Sequence, residues 1–164
     1  MKEEDMRVKN TVLSGAELIK KLEVWFKAGS GPFPLTVTGH SMTPFIAPGR
    51  DTAFLYPFDG TAKKGDIVLF ISVHGRLLLH RVKKTDGKRI VTAGDAFSHC
   101  DEATDVSHVL AVCRSVKRKG KIYDEKNLYW RFFSAIWINV LPLRKPILRG
   151  YAALKKTAGR SAEE

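Results

Sequence analysis

Apolar positions change their period twice along the chain. Leu18, Leu22, Trp25 and Phe26 recur at helical spacing, and Gly29, Gly31 and Pro32 end the run. This predicts an amphipathic helix of about three turns. Its start is marked by Ser14-Gly-Ala-Glu17, a capping box in which the serine caps the first turn and the glutamate reaches back. The helix is expected to pack on the domain or mediate a contact, with a shallow membrane contact as the alternative. From Leu35 to Val116 short β-branched or aromatic runs take over: Leu35–Thr38, Thr52–Tyr56, Asp66–Ile71, Arg76–Val82, Arg89–Thr92 and Val109–Val116. Gly60, Gly65, Gly75, Asp86-Gly87, Gly94 and Gly120 mark the turns. Short strands without alternating helices predict a mainly β fold, an antiparallel, barrel-like domain rather than a doubly wound one.

Beyond Leu128 the pattern widens again. Trp130, Phe132, Phe133, Ile136, Trp137, Val140 and Leu141 form a broad apolar stripe, flanked by Arg131, Arg144, Lys145 and Arg149 and broken by Pro142 and Pro146. The uncharged stretch from Phe132 to Leu143 has 12 residues. As helix it would reach about 18 Å, short of a hydrocarbon core of about 30 Å. Aromatic rings beside cations suit an amphipathic helix lying in a membrane interface. The alternative is a helix that packs its aromatic face on the β domain or on a second subunit. The chain thus divides into an N-terminal helix with its lead-in (1–34), a β domain (35–123) and a basic amphipathic tail (124–164).

Composition changes this picture in one respect. A chain of 164 residues with 44% hydrophobic and 10% aromatic content has enough apolar surface for one core and is not disordered. Its net charge of +11 is concentrated at one end. From Arg114 onward 13 Lys or Arg stand against four acids, a balance of +9 that leaves the first 113 residues near +2. A basic tail on a near-neutral body implies an anionic partner, a membrane surface or nucleic acid. Only one helix precedes Leu35, too little for a helix-turn-helix, and the aromatic stripe suits lipid better. Nucleic acid is therefore not the expected partner. Cys100 and Cys113 give no disulfide framework, and a reducing compartment is the plainer reading. Met1–Asn10 is charged, no apolar signal segment follows, and no run of about 20 apolar residues occurs. The expected location is the cytoplasmic side, bound peripherally to membrane.

Chemistry-bearing residues sit mainly in the β region. In Thr38-Gly-His-Ser-Met-Thr-Pro-Phe-Ile-Ala-Pro-Gly49, a strand ends at a glycine and Ser41 follows two positions later. A serine there can present its hydroxyl to a carbonyl while turn N–H groups face the developing oxyanion. A simple turn former reads the same way. The serine also needs a base. His40 adjoins Ser41 with poor geometry for reaching its Oγ; His74 lies in a hairpin loop, and His99 and His108 lie in a polar stretch. His80 lies in a strand, on one face with Leu78 and Val82, while Arg81 and Lys83 point away. A satisfied core histidine fits that position too. His99, Cys100, Asp101, His108 and Cys113 match no common zinc spacing, so neither a metal nor a cofactor is expected.

Taken together, Gly39–Gly49, Lys64–Phe70, Leu79-His-Arg-Val82 and Gly94-Asp-Ala-Phe-Ser-His-Cys-Asp101 resemble the ordered boxes of the signal peptidase I superfamily (S24/S26-type serine peptidases), which also contains the LexA-like self-cleaving repressors. The resemblance implies Ser41 as nucleophile and Lys64–Phe70 as a structural strand. It implies His80 in the place held by lysine in the bacterial branch and by histidine in the archaeal and endoplasmic-reticulum branch. Asp101 matches the acid that supports the histidine, and Asp95 matches the Gly-Asp box; Asp101 is the preferred partner and Asp95 the alternative, since Asp95 also suits a cap on the Gly94 turn. Peptide leader segments, with small residues before the cut, are the implied substrates. Two features depart from the pattern. Gly39 stands where bacterial members often have an oxyanion-binding hydroxyl, and no clear membrane-spanning segment is present. A catalytically silent peptide-binding member and a LexA-like regulator remain the competing readings.

Overall fold

The computed structural model describes residues 14–150. The charged Met1–Asn10 segment and the basic residues beyond Gly150, Lys155 and Lys156 among them, lie outside the described residues. Helix α1 (Gly15–Lys27) starts on the complete capping box: Ser14 Oγ accepts from the Glu17 N–H, and the Glu17 carboxylate accepts from the Ser14 N–H. Eight strands follow, β1 (Phe33–Thr36), β2 (Thr52–Pro57), β3 (Ile67–Ile71), β4 (Leu77–Thr85), β5 (Arg89–Ala93), β6 (Thr104–Asp105), β7 (Val109–Arg118) and β8 (Lys121–Asp124). Helix α2 (Leu128–Ala135) and the 3-10 turns Trp137–Asn139 and Leu141–Leu143 complete the described chain, and a third 3-10 turn, Val106–His108, precedes β7.

All pairings are antiparallel, in the order β1-β2-β7-β3-β4-β5-β6, with β8 added to β7. The path is open, so the sheet is a half-barrel with β1 and β6 at its edges rather than a closed barrel. The β7–β8 hairpin turns on Lys119 and Gly120, both at positive φ, between the paired Arg118 and Lys121. This is the backbone that a tight two-residue hairpin requires. Every residue of β3 from Ile67 to Phe70 is buried, because apolar groups cover both faces of the sheet there. On one face Ile67, Leu69, Ala111 and Cys113 meet Met42, Phe45, Ile46 and both helices. On the other, Val68, Phe70, Val82, Ile90 and Val109 form a smaller cluster.

The apolar stripe of the C-terminal segment divides in two. Trp130, Phe133, Trp137, Ile138 and Leu141 are buried, so the aromatic face packs on the β domain. Phe45 lies at the centre of that packing, stacked on Tyr129 and in ring contact with Trp130 and Phe133. Leu128, Phe132 and Ile136, spaced four apart, remain exposed. The helix is shorter than the stripe because Asn139 Nδ2 donates to the Ala135 carbonyl at 2.6 Å and caps the last turn. Gly65 makes the approach of α2 possible: it sits at φ +96°, and a Cβ there would fall 2.9 Å from Ser134 Cβ. Among the described residues no helix is long and apolar enough to cross a membrane.

Candidate active site

Ser41 sits in the loop between β1 and β2. Its neighbours anchor that loop: Met42, Phe45 and Ile46 are buried, the Thr43 N–H donates to the His40 carbonyl, and the Ile46 N–H donates to the Met42 carbonyl. At the loop's base the buried Asp51 accepts from the Ala47 N–H and from Arg50. Burial alone would raise the Asp51 carboxyl, but these donors and the charges of Arg50 and Arg118 hold it below its ordinary value. Ser41 itself stays half-exposed, and no hydrogen bond among the described residues uses its N–H.

His80, in the middle of β4, pairs with Val68 across β3 and has only 2% exposure. Its face is the one shared with Val68, Phe70 and Val82, as strand alternation implies. Nδ1 lies 2.7 Å from Asp101 Oδ2, and Thr92 Oγ1 donates to the same oxygen. The Asp101 N–H donates to the Thr92 carbonyl, which fixes the carboxylate at the end of β5. Burial would raise the Asp101 carboxyl; the hydrogen bonds from His80 and Thr92 and the adjacent imidazole outweigh it and leave the carboxyl lowered. With Nδ1 turned to a carboxylate, Nε2 is the nitrogen left for proton transfer. It is buried and has no hydrogen-bond partner among the described residues.

Gly94 joins the two halves of the site. A Cβ at this position would lie 2.7 Å from the Ser41 carbonyl oxygen, 3.0 Å from Phe97 Cδ2 and 3.2 Å from His80 Nε2. Ser41 and the free imidazole nitrogen therefore flank one glycine, and only a residue without a side chain fits between them. The Ala96 N–H donates to the Ser41 carbonyl at 2.8 Å, tying the serine's backbone to the turn after β5. Ser41 Oγ does not hydrogen-bond Nε2 in this structure.

Asp95 faces elsewhere. Its carboxylate accepts two bonds from Arg81, Nε at 3.1 Å and Nη2 at 2.8 Å, with both side chains fully buried. Arg81 also donates to the Gly65 carbonyl and Ser134 and lies 4.7 Å above the Phe45 ring. Lys83, the next residue on that face, donates to the Ile138 carbonyl and Asn139. None of the other histidines hydrogen-bonds Ser41, His80 or Asp101 among the described residues, although His99 lies close enough to Asp101 to help lower its carboxyl. His74 pairs with the exposed Glu102, His99 stacks on Phe97, and His40 and His108 are exposed. Cys100 is exposed, whereas burial in β7 pushes the Cys113 thiol up to about 12.

Sequence reasoning missed Thr92, Phe97, Trp137 and Arg144. Thr92 was legible only as a strand residue. Phe97 stands edge-on to His80 with ring centroids 5.9 Å apart. Trp137 and Arg144 belonged to a segment read as a tail, and nothing in their spacing pointed to the Gly94 turn.

An open antiparallel half-barrel with a few helices is the architecture of an S24-like fold. The sequence model of the family described as Peptidase S24-like matches residues 6–98, more than half of the chain, and the chain belongs to that family. Membership fits either a peptidase or a LexA-like regulator. No similar curated protein and no similar solved structure was found.

Proposed function

We propose that this protein is a serine endopeptidase of the Ser/His branch, acting on leader or signal-type peptides through Ser41, His80 and Asp101. The observation that carries the reading is the buried imidazole, with Nδ1 on a carboxylate and Nε2 unengaged beside the backbone of Ser41. A carboxylate on one ring nitrogen and a serine-bearing loop beside the other is the arrangement that general-base activation of a serine requires.

His80 Nε2 takes the Ser41 hydroxyl proton as Oγ attacks the scissile carbonyl carbon. Asp101 holds Nδ1–H, keeps the productive tautomer and stabilises the imidazolium. The proton then passes to the departing amine, leaving an acyl-Ser41 ester. Water, deprotonated by the same nitrogen, hydrolyses it. The unused Ser41 N–H is the oxyanion donor on this reading, taking up the role for which Gly39 offers no hydroxyl. Asp95 acts one layer back, by holding Arg81 beneath the turn.

The test is cleavage of a broad panel of leader-type peptides in detergent, which Ser41→Ala and His80→Ala abolish. Wild type as inert as Ser41→Ala across the panel rules out the enzyme and leaves a silent binding member or regulator. A His80→Gln variant as active as wild type overturns histidine as base.

The protein works at an anionic membrane surface on this reading. Leu128, Phe132 and Ile136 form an exposed apolar row along α2 and its C-cap, beside the exposed Arg131, and each nearby cation adds about 1 kcal/mol of attraction to an anionic leaflet. Truncating at Leu128 would unroof the core, so point variants are the sound test. Phe132→Ser with Ile136→Ser is expected to release the protein from anionic vesicles without unfolding it. Equal sedimentation of wild type with and without vesicles overturns this placement.

A further inference from the structure

Arg144 lies 50 residues beyond Gly94 and outside the stretch that matches the family model, yet its side chain is fully buried. No carboxylate pairs with it among the described residues, and its ligands are backbone carbonyls. Nη1 donates to the Gly94 carbonyl at 2.8 Å and to the Phe97 carbonyl at 3.0 Å, while Nε and Nη2 donate to the Trp137 carbonyl at 3.2 and 2.8 Å. Its guanidinium also stands 5.3 Å from the Trp137 ring centroid. Trp137 in turn donates Nε1–H to the Asp95 carbonyl at 2.9 Å. Three of the four carbonyls in the Gly94–Phe97 turn are thus held by two side chains of the C-terminal segment. Burying a guanidinium without a counter-ion is costly, and it persists where its donors are well matched to acceptors. Burial lowers its pKa, as desolvation of an unpaired cation should.

The turn it grips is the one that sets the site. The Ala96 N–H holds the Ser41 carbonyl, Gly94 fills the gap beside His80 Nε2, and Phe97 packs edge-on to the His80 ring. We propose that Arg144 is a positioning residue, which with Trp137 clamps the Gly94–Phe97 turn so that Ser41 and His80 keep the spacing needed for proton transfer. The inference rests on the peptidase reading for its kinetic consequence but not for its structural one.

Two measurements on the full chain separate these. In hydrogen–deuterium exchange, Arg144→Met is expected to speed exchange of the Ala96 and Phe97 amides about tenfold or more, with the β3 and β7 amides unchanged. In inactivation by a fluorophosphonate, where Ser41 Oγ displaces fluoride at phosphorus and His80 takes the proton, Arg144→Met is expected to lower the limiting rate roughly 10- to 100-fold. The half-saturating reagent concentration stays within about threefold, because the reagent is small and the nucleophile's alignment is what changes. Arg144→Lys should recover part of the rate by keeping a donor at the Gly94 carbonyl. Trp137→Phe, which keeps a ring and loses the Asp95 bond, should shift both readouts in the same direction by less, and it decides the matter if Arg144→Met does not fold.

Wild-type exchange at Ala96 and Phe97 in these variants, with a limiting rate within twofold of wild type, overturns the proposal. So does a rate loss that merely follows the unfolded fraction. If wild type and Ser41→Ala are equally inert to the reagent, the peptidase reading falls, and the exchange measurement alone decides the clamp.

Discussion

Helix α1 buries Leu18 and Leu22 beside β1 and sets Trp25 edge-on to Phe33, while α2 and the turns after it bury Trp130, Phe133 and Trp137 and reach across the sheet to the carbonyls of Gly94, Asp95 and Phe97. Both segments have an apolar face at helical spacing and a side-chain cap, Ser14 for α1 and Asn127 for α2. One covers the margin of the core. The other supplies its centre and the backing of the candidate site. An amphipathic period states that a helix has a face to bury; it does not state what lies beneath that face or what depends on it.

The contrast breaks most easily at Phe133. Its ring meets Phe45 at 5.0 Å and Trp137 at 5.5 Å, so Phe133→Ala is expected to cost about 3–5 kcal/mol in a denaturant titration and to lower Ser41 reactivity in the molecules that stay folded. Leu22→Ala is expected to cost about 2–4 kcal/mol and to leave the reactivity per folded molecule unchanged. If Leu22→Ala lowers that reactivity as Phe133→Ala does, the two helices are not distinct in function.

Acid titration sharpens the comparison next. The folded-state value of Asp101 is lowered, so its contribution to stability is complete above the ordinary carboxylate value of 3.8 and is lost as pH falls through the lowered one. The denaturation midpoint of wild type should fall over that range, and Asp101→Asn should flatten the fall. Glu17 on α1 is lowered too, by hydrogen bonds from Ser14, but it is fully exposed, and Glu17→Gln should leave the slope nearly as it is. The smallest effect belongs to Ser14→Ala, about 1 kcal/mol for a lost N-cap, read as a shift in melting temperature with no change at Ser41.

Local signals made much of the fold legible. The runs at Thr52, Asp66, Arg76, Arg89 and Val109 became β2, β3, β4, β5 and β7, because each has the β-branched or aromatic character that a pleated, buried surface selects. Strand β1 begins at Phe33 rather than Leu35 and β4 extends to Thr85, since pairing with a neighbour carries a ladder past the apolar residues that nucleate it. Strands β6 and β8 have two and four residues, mostly polar, and hold no period to read. The stripe from Trp130 to Leu141 was legible as apolar, but its principal occupant is the protein's own core.

For the site, alternation alone put His80 on the face of Leu78 and Val82 and turned Arg81 to the other. Spacing could not choose between Asp95 and Asp101 as the carboxylate near the imidazole. In the structure Thr92 and the backbone at the end of β5 bring Asp101 to Nδ1, while Arg81 draws Asp95 to the opposite side of the sheet. The period-two strands, the capped helix and the glycine turns follow from local pattern, because they depend on neighbours within a few positions. Tertiary structure alone decided that a guanidinium 50 residues downstream holds the Gly94 carbonyl, that Trp137 holds Asp95, and that Ser41 and His80 meet around one glycine. Buried hydrogen bonds between distant segments form only once packing excludes water from them, and no local pattern records which carbonyl a distant donor will reach.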